Sequence, residues 1–170
     1  MDPCLERLQR ELASSYEGMT SEQLKRHPAG KWSTAEVLEH LYLTYTGTIK
    51  GFSRVAEAGK SLATRSSWTH RGRRMVVLRL SYLPGGRKSP EVARPRGLPT
   101  EQVLSEIAGK IGEMDAMIGI CEQKVGRGKL LDHPVLGPLT AAQWRKFHLV
   151  HGLHHVKQIR ALRKRAAPGN

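Results

Sequence analysis

Four of the eight histidines in this 170-residue chain lie close together, at positions 148, 151, 154 and 155. At about 100° per residue in an α-helix, His151 and His155 project from nearly the same side, and His148 and His154 flank them. Histidines four residues apart on one helix face can both reach a single divalent metal ion. The alternative is a set of core histidines satisfied by hydrogen bonds, and this segment alone gives the two interpretations about equal weight.

The surrounding residues predict an amphipathic helix with imidazoles on its buried face. Trp144, Phe147 and Gln158 share the arc of His151, and basic side chains point away from it, at Lys146, Lys157, Arg160 and Lys164. Four protonated imidazoles within two turns would repel one another and lose hydration. A metal ion that keeps them neutral removes that cost.

Charge raises a different possibility, because 28 Lys and Arg against 15 Asp and Glu give a net charge of +13. Such an excess is typical of nucleic-acid binding proteins. However, the chain has no zinc-finger spacing, no aromatic RNA-binding motif and no compact recognition helix. We therefore expect a solvated basic surface without a specific nucleic-acid partner. A basic rim around a pocket for an anionic small molecule is the second interpretation.

The length predicts a single domain over residues 1–170 with a substantial core. No segment is apolar enough to span a membrane and the N-terminus does not resemble a signal peptide, so no membrane partner is expected. Cys4 and Cys121 are too few for a disulfide framework, which indicates a cytoplasmic protein. Both cysteines fit small core or surface positions rather than a catalytic role.

Apolar spacing and capping signals predict four main helices, near residues 4–18, 33–58, 100–124 and 140–165. Capping-box patterns open the second and fourth, at Ser33–Glu36 and Thr140–Gln143, and a third such pattern at Thr20 opens a short helix. With no competing strand pattern, we predict an all-α four-helix bundle with a long crossover between the second and third main helices.

The remaining segments are predicted to be irregular. Within residues 60–98, Trp68 to Leu83 could form a basic helix of poor periodicity, and several prolines then favour an extended crossover. Residues 129–139 are predicted to form a loop, and residues 166–170 a frayed tail. His70, among arginines, is expected to be exposed, and His27 to lie in a turn without a role.

His40 lies at one edge of the apolar stripe of the second main helix, and Thr44, Gly47 and Gly51 follow it along the same lane. Two glycines inside a helix cost about 1 kcal/mol each relative to alanine, so space is needed there. Either close helix packing or a cavity beside His40 explains them.

Three segments in order carry a family resemblance. They are Lys31-Trp32-Ser33 with Val37-Leu38-Glu39-His40-Leu41, then His133-Pro134-Val135-Leu136-Gly137-Pro138-Leu139-Thr140 with Gln143-Trp144, and finally His151-x-x-x-His155-x-x-Gln158-Ile159. Together they resemble the entries to the second and last helices, and the closing motif, of the DinB-like (YfiT-like) bacterial metal-binding four-helix bundles. A lone His-x-x-x-His is weak evidence, whereas the ordered set is fairly specific.

The resemblance implies one divalent metal ion held by His40, His151 and His155, with positions open to water or substrate as in catalytic sites. Zinc, nickel and iron are not distinguished by three imidazoles. We expect Gln158 to be the nearest neighbour of these ligands, with His148 and His154 as further hydrogen-bonding groups. The pocket residues are expected to be Thr44, Gly47 and Trp144.

The resemblance implies a metal-dependent enzyme acting on a small molecule. Some relatives look like transferases that use a low-molecular-weight thiol, such as bacillithiol or mycothiol, and others are called hydrolases. No His-Glu-x-x-His motif supplies a base here, and Glu36 is committed to its cap, which slightly favours thiol transfer. No catalytic residue is assigned. A non-enzymatic metal- or ligand-binding stress protein of the same fold is the alternative, and a homodimer is left open.

Overall fold

The structure, a computed structural model, describes residues 1–82 and 89–166, which are mostly helical. A π-helical turn at Met75–Arg79 continues the fourth helix, and a 3₁₀ turn lies at Glu91–Ala93. Two short antiparallel strands follow the fifth helix, β1 (Leu131–His133) and β2 (Gly137–Leu139). The α-helices in the described residues are α1 (Pro3–Tyr16), α2 (Ser21–Lys25), α3 (Thr34–Ala58), α4 (Trp68–Arg74), α5 (Thr100–Val125) and α6 (Ala141–Ala166).

The predicted boundaries of the four main helices are confirmed to within two residues. Ser33 and Glu36 form the predicted capping box at the start of α3, and Thr140 and Gln143 exchange the equivalent bonds before α6. These side chains satisfy backbone N–H groups that a helix start leaves unpaired. The third main helix, α5, begins at Thr100 after Pro99, without a side-chain cap.

The long helices pack chiefly in two pairs, α3 with α5 and α1 with α6, around one apolar core. Gly152 allows the second pair to approach, because an added Cβ at this position would collide with Leu8 of α1. Arg145 of α6 also binds Asp115 of α5, with 2.7 Å between Nε and Oδ1. These contacts fix how α6 is rotated about its axis.

The loop prediction for residues 129–139 is wrong, because this segment contains the β1–β2 hairpin. Leu131 pairs with Leu139, and the N–H of Leu130 donates to the carbonyl of Leu139 at 2.9 Å. Leu136 and Leu139 are buried in the common core. Strands of three residues are too short to show the alternation by which strands are recognised in a sequence.

The described part of the crossover also differs from its prediction. The basic helix predicted from Trp68 to Leu83 is α-helical only to Arg74, and Leu83 with the Pro84-Gly85-Gly86 segment lies outside the described residues. His70, expected to be exposed, is partly buried: its ring lies where a Cβ on Gly137 would be. Of the predicted frayed tail, Ala166 belongs to α6, and residues 167–170 are outside the described part.

Candidate metal centre

His40 of α3 meets His151 and His155 of α6 in a cluster between the two helices. Nε2 of His151 lies 3.3 Å from Nε2 of His40 and 3.2 Å from Nε2 of His155. One nitrogen from each of the three rings lies within 4.8 Å of the other two. Each residue is only 5% to 8% exposed. The structure therefore brings together the three histidines singled out from the sequence.

Hydrogen bonds on the outer side of two rings determine which nitrogen faces the centre. His40 Nδ1 lies 2.7 Å from the carbonyl oxygen of Ala93, which can only accept a hydrogen bond. His155 Nδ1 lies 3.0 Å from the amide oxygen of Gln158, the neighbour expected from the sequence. A neutral imidazole carries a single N–H. With that proton on Nδ1, the Nε2 atoms of His40 and His155 present lone pairs to the centre.

His151 lies between the other two rings, and its single proton cannot satisfy both of their inward-facing nitrogens. Its Nε2 faces both neighbouring lone pairs, and its buried Nδ1 has no partner in the described part of the chain. A single proton on Nε2 can be donated to one neighbour only, which leaves two lone pairs opposed on the other side. A cation that accepts all three lone pairs removes this conflict.

Two of the three nitrogen separations, those from His151, also fit a shared ion. Zinc–imidazole bonds of about 2.0–2.1 Å place two nitrogens of a tetrahedral site about 3.3–3.4 Å apart. The measured separations from His151 are 3.3 Å and 3.2 Å. Three ligands of this kind leave at least one coordination position for another molecule.

Burial keeps these imidazoles in the neutral form that binds metals. Loss of solvent lowers the pKa of His155 to about 3, with His40 adding to the effect. The pKa of His151 lies well below its usual value, first through burial and then through His155 and His40. Burial also lowers the pKa of His40, although its bond to Ala93 acts in the opposite direction. At neutral pH, protons therefore do not compete with a metal ion for the nitrogens of the three rings.

The crossover contributes part of this site, which sequence reasoning missed. Ala93, whose carbonyl holds His40, lies at the end of the 3₁₀ turn, and nothing in a sequence marks a backbone carbonyl for such a role. Glu39, next to His40, is 3% exposed and accepts the N–H groups of Arg96 at 2.8 Å and Gly97 at 3.2 Å. Glu39 thereby ties the crossover to α3 beside the ring that the crossover supports.

His148 and His154 lie on different sides of the cluster. His148 is fully buried, with Nε2 3.2 Å from Thr48 Oγ1 and its ring stacked near Trp144. His154 is exposed, and its ring centre lies 5.2 Å from that of His155. Within the described residues, no hydrogen bond joins either of them to the three clustered histidines.

The three residues expected to line the pocket have different surroundings. The hydroxyl of Thr44 donates to the carbonyl of His40 at 2.8 Å, and open space lies where a Cβ of Gly47 would be. Trp144 is buried in the core and donates to the carbonyl of Leu131. Close packing accounts for Gly51, because an added Cβ would lie 2.8 Å from a Leu131 methyl group.

His133, to which the sequence analysis gave no role, stands close to the cluster. Its Nδ1 accepts the N–H groups of Val135 and Leu136, and burial lowers its pKa to about 4. Its ring centre lies 4.2 Å from that of Phe147, which in turn stacks on His151 with 12° between the planes. The hairpin therefore contacts the cluster through an aromatic side chain.

Fold and site together describe a mostly helical protein with a buried three-histidine cluster. The family described as a protein of unknown function, DUF1569, matches residues 11–162, so the chain belongs to the DUF1569 family. The match includes all three histidines and the crossover. No curated protein and no solved structure matches the chain.

Proposed function

We propose that His40, His151 and His155 bind one divalent metal ion in an enzyme that acts on a small molecule. The convergence of three Nε2 atoms is the observation that carries this proposal. The outward N–H groups of His40 and His155 bind Ala93 and Gln158, and metal-binding histidines commonly have such partners. The ion is zinc, nickel or iron.

The fold we propose is a four-helix bundle of the DinB/YfiT type, with its long crossover between α3 and α5. Pairing of α3 with α5 and of α1 with α6 supports it, as does the origin of the ligands from α3 and α6. In this arrangement the crossover covers the α3 ligand, and only a small fraction of each ring faces solvent.

A divalent ion at an open three-imidazole site acts as a Lewis acid and lowers the pKa of a water or thiol bound to it. Hydrolysis also calls for a general base. The carboxylate of Glu39 accepts the backbone N–H groups of Arg96 and Gly97, and Glu36 accepts the N–H of Ser33 at 2.7 Å. With both neighbouring carboxylates engaged, we favour transfer of a low-molecular-weight thiol over hydrolysis. The thiol sulfur forms a bond to an electrophilic carbon of the substrate, the leaving group departs from that carbon with the electron pair of the broken bond, and the thiol proton passes to solvent.

A second candidate function is metal or ligand binding without turnover. The specific observation in its favour is the low exposure of the three histidines, between 5% and 8%. A substrate has to reach the centre through a small opening, whereas an ion alone needs little room.

The experiment is elemental analysis of the purified protein, followed by thiol consumption with a panel of small electrophiles. We expect about one equivalent of metal in the parent, loss of metal in His40→Ala and His151→Ala, and retention in the exposed control His27→Ala. Thiol consumption is expected only with metal-loaded protein. A parent that does not bind added zinc, nickel or iron contradicts the metal site, whereas stoichiometric metal without turnover favours the second function.

A further inference from the structure

Large apolar side chains are exposed close together on the segment that follows α3. Trp68 is 84% exposed, Met75 57%, Leu80 67% and Tyr82 59%. Scattered exposed apolar residues are ordinary, but a concentration within one short segment marks an interaction site. We use the name outer face of α4 for exposed residues of this helix and of the segment that continues it, namely Trp68, Arg71, Met75, Arg79, Leu80 and Tyr82.

The same segment carries charge of one sign only. Residues 58–90 contain eight Lys and Arg and no Asp or Glu. Arg71 and Arg79 are exposed, and the ion pairs among the described residues involve neither of them. A partner for this face must therefore offer negative charge together with apolar material.

Contacts on the opposite side of α4 explain why this face points outward. The ring of His70 covers Gly137, and the Arg74 guanidinium donates to the carbonyl of Leu136 at 3.0 Å. His70 and Arg74 are one turn apart, so one side of α4 rests on the hairpin. Trp68 and Met75, seven residues apart, project from the other side.

We propose that the outer face of α4 binds the surface of an anionic lipid bilayer. Tryptophan and tyrosine favour the boundary between headgroups and acyl chains, and arginine can bury its stem while its guanidinium meets phosphate. Arg71 already lies 4.9 Å from the centre of the Trp68 ring, so both groups approach a membrane together. No described helix has the length and apolar composition needed to cross a bilayer, which makes this a surface contact.

A neighbouring groove also combines apolar and basic side chains. Its volume is about 520 Å³, and it lies between the π-helical turn and α6, with Met75 and Leu78 among its apolar walls. Arg79 and Lys146 provide basic groups at its edge. An anionic amphiphile lying across the outer face meets apolar and basic groups in both places.

Other occupants fit this face less well. Single-stranded nucleic acid would stack on Trp68 and Tyr82, but it would leave Met75 and Leu80 without an apolar environment. A second copy of the chain in a two-fold contact would bring two arginine-rich surfaces together, and like charges repel. A lipid surface matches both the charge and the exposed aliphatic groups.

The test is co-sedimentation of the full-length protein with phosphatidylcholine vesicles, with and without about one-third phosphatidylglycerol. We expect binding to the anionic vesicles only, weaker at high salt, with a blue shift in the fluorescence of exposed Trp68. The double variant Arg79→Gln/Leu80→Ser is expected to lower partitioning at least tenfold, since one basic residue near an anionic surface contributes about fivefold.

The matched control is Ile120→Ser/Lys124→Gln, which removes one exposed aliphatic residue and one charge from α5. It should change partitioning by less than about twofold, and circular dichroism should show both double variants folded. The His151→Ala variant should bind vesicles like the parent, because this proposal does not depend on the metal site. Equal loss in both double variants, no binding to anionic vesicles at low salt, or tighter binding to a single-stranded oligonucleotide would overturn it.

Discussion

The histidine cluster and the outer face of α4 both gather basic side chains, but under opposite conditions. In the cluster, imidazole nitrogens lie 3.2–3.3 Å apart, and burial keeps them neutral. On the outer face, arginines keep full charge in solvent around a tryptophan that is 84% exposed. Close approach of basic groups is tolerated where the charge is absent, and retained charge requires spacing and water.

The two regions also differ in the structural elements that fix their positions. Cluster geometry depends on α3, α6 and the crossover, so its residues are separated by up to 115 positions, from His40 to His155. The outer face occupies one short segment that rests on the hairpin through His70 and Arg74. Changes to the cluster should therefore affect global stability, whereas changes to the outer face should not.

Acidification is the perturbation with the largest expected effect on this contrast. Burial lowers the pKa of His133 to about 4 and of His148 and His155 to about 3, below the value of about 6.5 in an unfolded chain. The unfolded state then binds more protons, so the stabilisation is complete above pH 6.5 and declines as pH falls toward these values. Each such histidine contributes a slope of up to about 1.4 kcal/mol per pH unit.

Urea unfolding of metal-free protein at pH 7, 6 and 5 measures this slope. His133, His148 and His155 alone predict up to about 4 kcal/mol of lost unfolding free energy per pH unit, against a typical total of about 5–15 kcal/mol, and the lowered pKa values of His151 and His40 act in the same direction. The Arg79→Gln/Leu80→Ser variant should show the same slope as the parent. A free energy of unfolding that stays constant from pH 7 to 5 would contradict the assignment of buried neutral histidines.

Much of this architecture could be predicted, because α3 and α6 carry complete local signals. Capping boxes at Ser33 and Thr140 and an apolar period of 3.6 residues define both helices. Spacing of four residues places His151 and His155 on one side. The joining of His40 to them was expected only through the ordered motifs of the family resemblance.

The remaining features depend on tertiary contacts that a local pattern does not contain. His148 and His154 flank His151 symmetrically on a helical projection, so spacing alone cannot say which one is buried. Gly152 packs on Leu8 of α1 and lies on the same side of the helix as His148. That contact turns His148 into the core and leaves His154 exposed.

A smaller expected effect comes from Glu39, the residue that ties the crossover to α3. Glu39→Gln removes a charge and one of the two acceptors for the N–H groups of Arg96 and Gly97. The Ala93 carbonyl then holds His40 less firmly, and loss of such outer support weakens metal binding by about 10–100-fold. Zinc titration against a competing chelator measures this, with Glu57→Gln as an exposed control on the same helix.

A merely structural role for Glu39 makes a different prediction. It would lower the melting temperature of the metal-free protein while leaving the metal affinity of the folded protein unchanged. Comparing both quantities in the same variant separates support of His40 from general stabilisation. Unchanged zinc affinity in Glu39→Gln would rule out the crossover as a support for the ligand.

The smallest expected effect isolates His148, which is buried but not bonded to the three clustered histidines. Its Nε2 lies 3.2 Å from Thr48 Oγ1. The Thr48 hydroxyl has one hydrogen, which it can donate to the carbonyl of Thr44 at 3.0 Å. We therefore assign His148 Nε2 as the donor to Thr48. In His148→Gln, the side-chain amide reaches about as far as Nε2 and retains this bond without a titrating group. The acid slope should fall by about 1.4 kcal/mol per pH unit, whereas zinc affinity should fall by no more than about tenfold. Partial burial and Lys157 also lower the pKa of His154, but its side chain is largely exposed, so His154→Gln should reduce the slope less than His148→Gln does. An equal reduction in both variants would show that depth of burial does not set the acid response.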